Sequence, residues 1–122
     1  MPENKKVLVV DDDEKIGSMI CHFLAKSSYE AHSVSNAVSA IEFLKIKSQH
    51  FDILITDYSM PQMDGVELTK LIRRWYPRIV VIGMSGFESA QGDFIRAGAH
   101  AFFLKPFFLQ DILGTINSAV RQ

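Results

Sequence analysis

A chain of 122 residues has the length of one ordinary domain. With 48% of its residues apolar and 22% charged it carries enough apolar material for a core, which excludes a disordered chain. The 13 basic and 14 acidic residues give a formal net charge of -1, so no global basic field draws it to nucleic acid or an anionic membrane. A lone cysteine, Cys21, excludes an internal disulfide and a cysteine-based zinc site and fits a reducing, cytoplasmic setting. The opening MPENKK lacks a signal-peptide apolar segment, and no run reaches membrane-spanning length.

The first apolar run, VLVV at 7–10, stops abruptly at Asp11, Asp12, Asp13 and Glu14. Behind it Ile16, Met19, Ile20, Phe23 and Leu24 recur at helical spacing. A weaker run, EAHSVS at 30–35, precedes a second stripe of Ala37, Ile41 and Leu44, with Asn36 as candidate helix cap. FDILIT at 51–56 leads into Asp57, and beyond the loop Leu68, Leu71, Ile72 and Trp75 form a third stripe. Asp64 and Glu67 have capping-box spacing and should open that helix. IVVIGM at 79–84 ends at Ser85. The segment ESAQGDFIRAGA at 88–99 is the poorest helix: Gly92 costs about 1 kcal/mol relative to alanine, and only Ala90, Phe94, Ile95 and Ala97 anchor it. It is expected to be the most mobile helix. AFFL at 101–104 ends at Lys105-Pro106, and Leu109, Ile112, Leu113, Ile116, Ala119 and Val120 line one side of a last helix.

Five β and five α segments in strict alternation predict a doubly wound α/β fold around a parallel sheet. The near-continuous apolar runs suit strands buried on both faces. In such folds ligands bind beyond the carboxyl ends of the strands. Those ends carry Asp11, Asp12 and Asp13, then Asp57, Ser85 and Lys105: several carboxylates, a hydroxyl and an ammonium on one rim.

VLVVDDDE, DILITDYSMPQMDG, the serine of VIGMSG, and GAHAFFLKPF follow one another in this order across essentially the whole chain. Together they resemble the receiver domain of bacterial two-component response regulators, the family to which CheY belongs. The resemblance implies a single receiver domain over residues 1–122, a flavodoxin-like sheet of order 2-1-3-4-5 and five helices. It makes Asp57 the phosphoacceptor, loaded from a phosphohistidine on a histidine kinase or phosphotransfer protein. It assigns Mg²⁺, with Mn²⁺ as a substitute, to Asp12 directly, Asp11 mainly through water, Asp57, and the backbone carbonyl of Ser59. Lys105 and Ser85 would steady the phosphoryl oxygens, and Ser85 with Phe102 would form the switch, the Ser85 hydroxyl moving toward the phosphoryl group and the Phe102 ring swinging inward. Pro106 would follow a cis peptide that aims Lys105 inward. Output would pass through the fourth helix, fifth strand and fifth helix to a downstream protein or domain, or to a second copy in a phosphorylation-dependent homodimer. Such a domain is a signalling phosphoacceptor and not an enzyme in the ordinary sense, since it promotes only its own phosphorylation and dephosphorylation.

Three positions depart from the family's usual pattern. Phe102 stands where tyrosine is common, so a ring is kept and a hydroxyl lost. Gly83 interrupts the fourth strand and is expected to weaken it. Phe108 stands where a small capping residue is often found, so the fifth helix is expected to start without a side-chain cap. With Phe102 and the weak fourth helix, Phe108 should make the output face apolar and pliable, suited to hydrophobic docking or self-association.

Each site residue also has a plainer reading. An acidic run after a strand is most often a solvated turn, and that reading is preferred for Asp13, with it or Glu14 favouring the positive end of the first helix. Asp64 reads as a helix cap and Met60 and Met63 as loop packing. The four histidines, without ligand spacing, read as surface or packing residues, and Cys21 as inert. Two alternatives to a working receiver remain: a degenerate receiver used only for binding, and a phosphatase of the haloacid dehalogenase type. The second needs a D-x-D nucleophile at Asp11, followed by threonine or valine where this chain has Glu14 and Lys15. Neither a P-loop nor a G-x-G-x-x-G is present, and no basic stripe supports direct nucleic-acid contact.

Overall fold

The apolar runs become strands because β-branched and bulky side chains pack well on a pleated surface covered from both sides. A computed structural model describes residues 5–46 and 50–120, so the MPEN start of the chain lies outside the described residues. The elements in order are β1 (Lys6–Val10), α1 (Glu14–Lys26), β2 (Glu30–Val34), α2 (Ala37–Ile46), β3 (Ile53–Asp57), α3 (Gly65–Trp75), β4 (Val80–Ser85), α4 (Ala90–Ala97), β5 (Ala101–Leu104) and α5 (Leu109–Val120). The strands form one parallel sheet in the order β2-β1-β3-β4-β5, as expected for the doubly wound fold.

Side chains alternate faces along each strand, and the two halves of the core follow that alternation. Leu8, Val10, Leu54 and Val81 pack under α2, α3 and α4, while Val7, Val9, Ile53, Ile55, Ile82 and Met84 pack under α1 and α5. The edge strand β2 reads weakly in sequence because no residue of it is fully buried.

The helix starts follow their caps. Asp13 caps α1 by accepting from the Lys15 and Ile16 amides, so it serves the helix end, as anticipated for it or its neighbour. Asn36 accepts from the Ser39 amide at 2.8 Å. Asp64 and Glu67 form the full capping box at α3, with bonds of 2.8 and 3.1 Å. The fourth helix is shorter than the 88–99 segment suggests, because Gly98 at φ 106° closes it in the left-handed conformation and its amide reaches the Ile95 carbonyl.

Three residues assigned to apolar helix faces are exposed instead, among them Ile95 of α4 at 48%. Met19 is 49% exposed, and Trp75 is 48% exposed with the Lys45 ammonium 5.5 Å from its ring centroid. Gly83 has a role besides its local effect on β4. Its role is room for a neighbour: a Cβ there would stand 2.5 Å from the ring of Phe94, which is completely buried.

Candidate functional site

Strand register brings the rim residues to one level. Val10 pairs with Thr56, Asp57 with Met84, and Ser85 with Leu104, so Asp11, Asp57, Ser85 and Lys105 all fall at the carboxyl edge of the sheet. Asp57 ends β3 and is buried. Its carbonyl is fixed from two sides, by the Thr56 hydroxyl donating to it at 3.0 Å and by the close backbone of Gly65, where a Cβ would stand 2.1 Å from that oxygen. Beyond it, the Tyr58 amide donates to the Met84 carbonyl and the Gly65 amide to the Tyr58 carbonyl, both at 2.9 Å. The loop that carries Ser59 is thereby tied to β4 and to the start of α3.

Lys105 reaches across from the end of β5. Its ammonium lies 3.0 Å from Asp57 Oδ1 and 3.1 Å from Asp11 Oδ2, with the lysine side chain 23% exposed. The other oxygen of Asp11 accepts the Asp13 amide at 2.9 Å. Asp12 is exposed beside this pair, and oxygens of Asp11, Asp12 and Asp57 lie within 4.8 Å of one another. Among the described residues no other group of three potential metal ligands comes together. Ser59 is exposed on the adjoining loop, and the Lys105-Pro106 peptide is cis.

Three carboxylates facing one ammonium leave the cluster net negative. Burial pushes the Asp57 carboxyl above its ordinary value, the Asp11 charge adds to the rise, and the Lys105 hydrogen bond only partly offsets them. For Lys105 burial acts downward, but the hydrogen bonds and charges of Asp57 and Asp11 outweigh it and hold the ammonium above its ordinary value. The two shifts agree physically. The Lys105 ammonium faces two carboxylates, whereas Asp57 gains only a share of one ammonium against its burial. A hard dication with oxygen ligands fits such a donor set.

Ser85 is buried, and its Oγ accepts the Phe87 amide at 3.0 Å, leaving the hydroxyl proton free to be donated. Phe102, half-buried on β5, has its ring centroid 5.8 Å from that of Phe94.

A family model for the response regulator receiver domain matches residues 7–117. The chain belongs to the response regulator receiver family. This receiver is 33% identical over 106 residues to the putative two-component response regulator ARR21 of Arabidopsis thaliana, and 28% identical over 120 residues to the transcriptional regulatory protein SrrA of Staphylococcus aureus. Those matches cover 87% and 98% of the receiver but only 17% and 49% of the two relatives. Among solved structures, it is similar to the chemotaxis response regulator CheY4 of Vibrio cholerae, with 28% identity, a TM-score of 0.84, and 95% and 98% of the two chains covered. The response regulator 1452 receiver domain of Francisella gives 25% identity, a TM-score of 0.87, and 97% and 98% coverage. Membership of this family also sets aside the haloacid dehalogenase alternative.

Several residues around the site escaped the sequence reading. Thr56 and Gly65 are given no role by the sequence, yet both bear on the Asp57 carbonyl. The signal was a hydroxyl residue immediately before Asp57 in an otherwise apolar run, and a glycine directly after the Asp64 cap. Cys21 keeps its inert reading: burial pushes its thiol up, against a hydrogen bond with Ser33. His100 lies at the surface, with its Nδ1 accepting the Val81 amide at 3.2 Å. No helix of the described residues is long and apolar enough to cross a membrane.

Proposed function

We propose that this receiver is a phosphoacceptor that takes its phosphoryl group on Asp57. An Asp57 carboxylate oxygen attacks the phosphorus of a phosphohistidine on a histidine kinase or phosphotransfer protein. The O–P bond forms as the N–P bond breaks, and the electron pair leaves on the imidazole nitrogen. Lys105, now bridging Asp57 and Asp11, transfers one of its hydrogen bonds to a phosphoryl oxygen, and Ser85 donates its hydroxyl proton to another. Asp11, Asp12, Asp57 and the Ser59 carbonyl are the groups to hold Mg²⁺, or Mn²⁺ in its place. The ion supplies the charge neutralisation that lets an anionic carboxylate approach an anionic phosphoryl group. The reading treats residues 1–122 as one receiver domain in a cytoplasmic setting that promotes only its own phosphorylation and dephosphorylation.

The observation that supports it best is the Lys105 ammonium within 3.1 Å of both Asp57 and Asp11, with Asp12 beside them, on residues that end three different strands. Output through α4, β5 and α5, to a partner or a second copy, is supported by the apolar groups on that face. Leu104 and Ile95 are exposed there, and Phe108 is 77% exposed at the head of α5. The test is incubation with a small phosphodonor, with and without Mg²⁺, followed by intact mass. Wild type should gain one phosphoryl group only with Mg²⁺, and Asp57→Asn none. Equal modification of Asp57→Asn would overturn the assignment, and no modification of wild type under either condition would leave only a binding module.

A further inference from the structure

Phe94 is the one large side chain of α4 that is fully buried, and it occupies space that two glycines leave open. A Cβ on Gly83 would stand 2.5 Å from its Cγ and Cδ1, and a Cβ on Gly65 would stand 3.0 Å from its Cζ. The ring meets Tyr58 edge-on, with centroids 6.2 Å apart, and lies tilted against Phe102 at 5.8 Å. Each neighbour belongs to the site or to its output strand. Tyr58 directly follows Asp57, and Phe102 is the cross-strand partner of Gly83. Ser85 lies two residues beyond Gly83, on the same face of β4.

Little else holds α4 to the sheet. Its only other buried residue is Ala90, and Ser89 at its start makes no side-chain capping bond. A close-packed interior has no room for a second ring beside Phe94, so any inward turn of Phe102 toward Gly83 meets an occupied place.

We infer that Phe94 is the positioning residue of the switch: its ring, seated on Gly83 between Tyr58 and Phe102, must leave that seat for Phe102 to turn inward, and it carries α4 with it. The inference rests on the phosphoacceptor reading and adds to it the physical link between the site and the output helix. Packed interfaces of this kind have discrete arrangements, so the two rings exchange places and do not deform gradually. The glycine at 83 is then a requirement of the switch: it supplies the seat that Phe94 vacates.

The test uses isotope-labelled protein with Mg²⁺ and beryllofluoride as phosphoryl mimic. In wild type, nuclear Overhauser contacts between the Phe94 and Tyr58 rings should disappear on binding, while the amides of residues 90–97 shift. Gly83→Ala should move the same amides part of the way along the same path without the mimic. Phe94→Leu should still bind the mimic, with the displacement of those amides reduced roughly threefold or more, within the range of coupling between touching side chains. Persistence of the Phe94–Tyr58 contacts in the mimic-bound wild type would overturn the inference alone, as would full α4 displacement in Phe94→Leu. A wild type that binds no mimic would overturn the phosphoacceptor reading and this inference with it. Should Phe94→Leu fail to fold, the wild-type ring contacts decide.

Discussion

Replacing Gly83 by alanine separates two physical accounts of the same residue. Where alanine fits without strain, removing a glycine stabilises a fold by about 0.4–1 kcal/mol by restricting the unfolded chain. Here the new methyl would stand 2.5 Å from Phe94 Cγ and Cδ1 and 2.7 Å from Cδ2, on a ring with 0% exposure. Overpacking of that kind costs about 1–3 kcal/mol, so the net destabilisation is about 1–2 kcal/mol. An unfolding entropy of about 2.1 cal/mol/K per residue over 122 residues gives roughly 0.26 kcal/mol/K, and Tm falls by about 4–8 °C. Urea and thermal unfolding followed by circular dichroism measure both quantities. In Gly83→Ala/Phe94→Leu the methyl meets a smaller side chain, and the pair should fall short of additivity by about 0.5–3 kcal/mol. A Gly83→Ala protein as stable as wild type, or strict additivity in the cycle, would refute the account of the glycine as a seat for the ring.

Other perturbations test other parts of the molecule. Asp64→Ala removes the carboxylate that accepts the Glu67 amide, while the backbone amide at 64 can still donate to Glu67, and should cost about 1 kcal/mol in urea unfolding, with α3 amides exchanging faster. His100 sits below its ordinary 6.5 because of burial first and Arg73 second, and its Nδ1 must be unprotonated to accept the Val81 amide. The unfolded chain therefore takes up the proton first as pH falls. The His100 contribution is complete above pH 6.5 and is lost as pH drops toward the folded value, and His100→Gln should flatten that part of the stability profile. Mg²⁺ at ten times its dissociation constant should stabilise the fold by about 1.4 kcal/mol, raising Tm by about 5 °C. Asp12→Asn should lose most of that rise, whereas an unchanged wild-type Tm in Mg²⁺ would contradict a cation shared by Asp11, Asp12 and Asp57.

The element order was legible in sequence because parallel strands buried on both faces leave near-continuous apolar runs, as at Ile53–Thr56 and Val80–Met84. The helix caps were equally legible, since Asn36, Asp64 and Glu67 act within three residues of themselves. Edges of helical stripes were not. Periodicity places Met19 and Trp75 on the apolar side but does not reveal that they stand about half exposed, or that Lys45 lies over the indole. The second role of Gly83 was hidden for a related reason. Its local effect on a strand is visible in sequence, while the ring that needs its missing side chain comes from Phe94, on the next helix. For the site, the rule that ligands lie beyond strand ends singled out Asp11, Asp57, Ser85 and Lys105 before any distance was known. The supports of Asp57 left only a faint signal, a hydroxyl before it and a glycine after the Asp64 cap, because the Thr56 hydroxyl and the Gly65 backbone reveal their direction only when folded.

The central claim concerns a single side chain, and the chemistry of an acyl phosphate allows it to be located. Borohydride reduces an aspartyl phosphate to homoserine, which peptide mass spectrometry assigns to a position. After treatment with a small phosphodonor and Mg²⁺, the account predicts homoserine at position 57 and nowhere else. Homoserine at position 11 or 12, or none at all in protein that has gained a phosphoryl group, would contradict it.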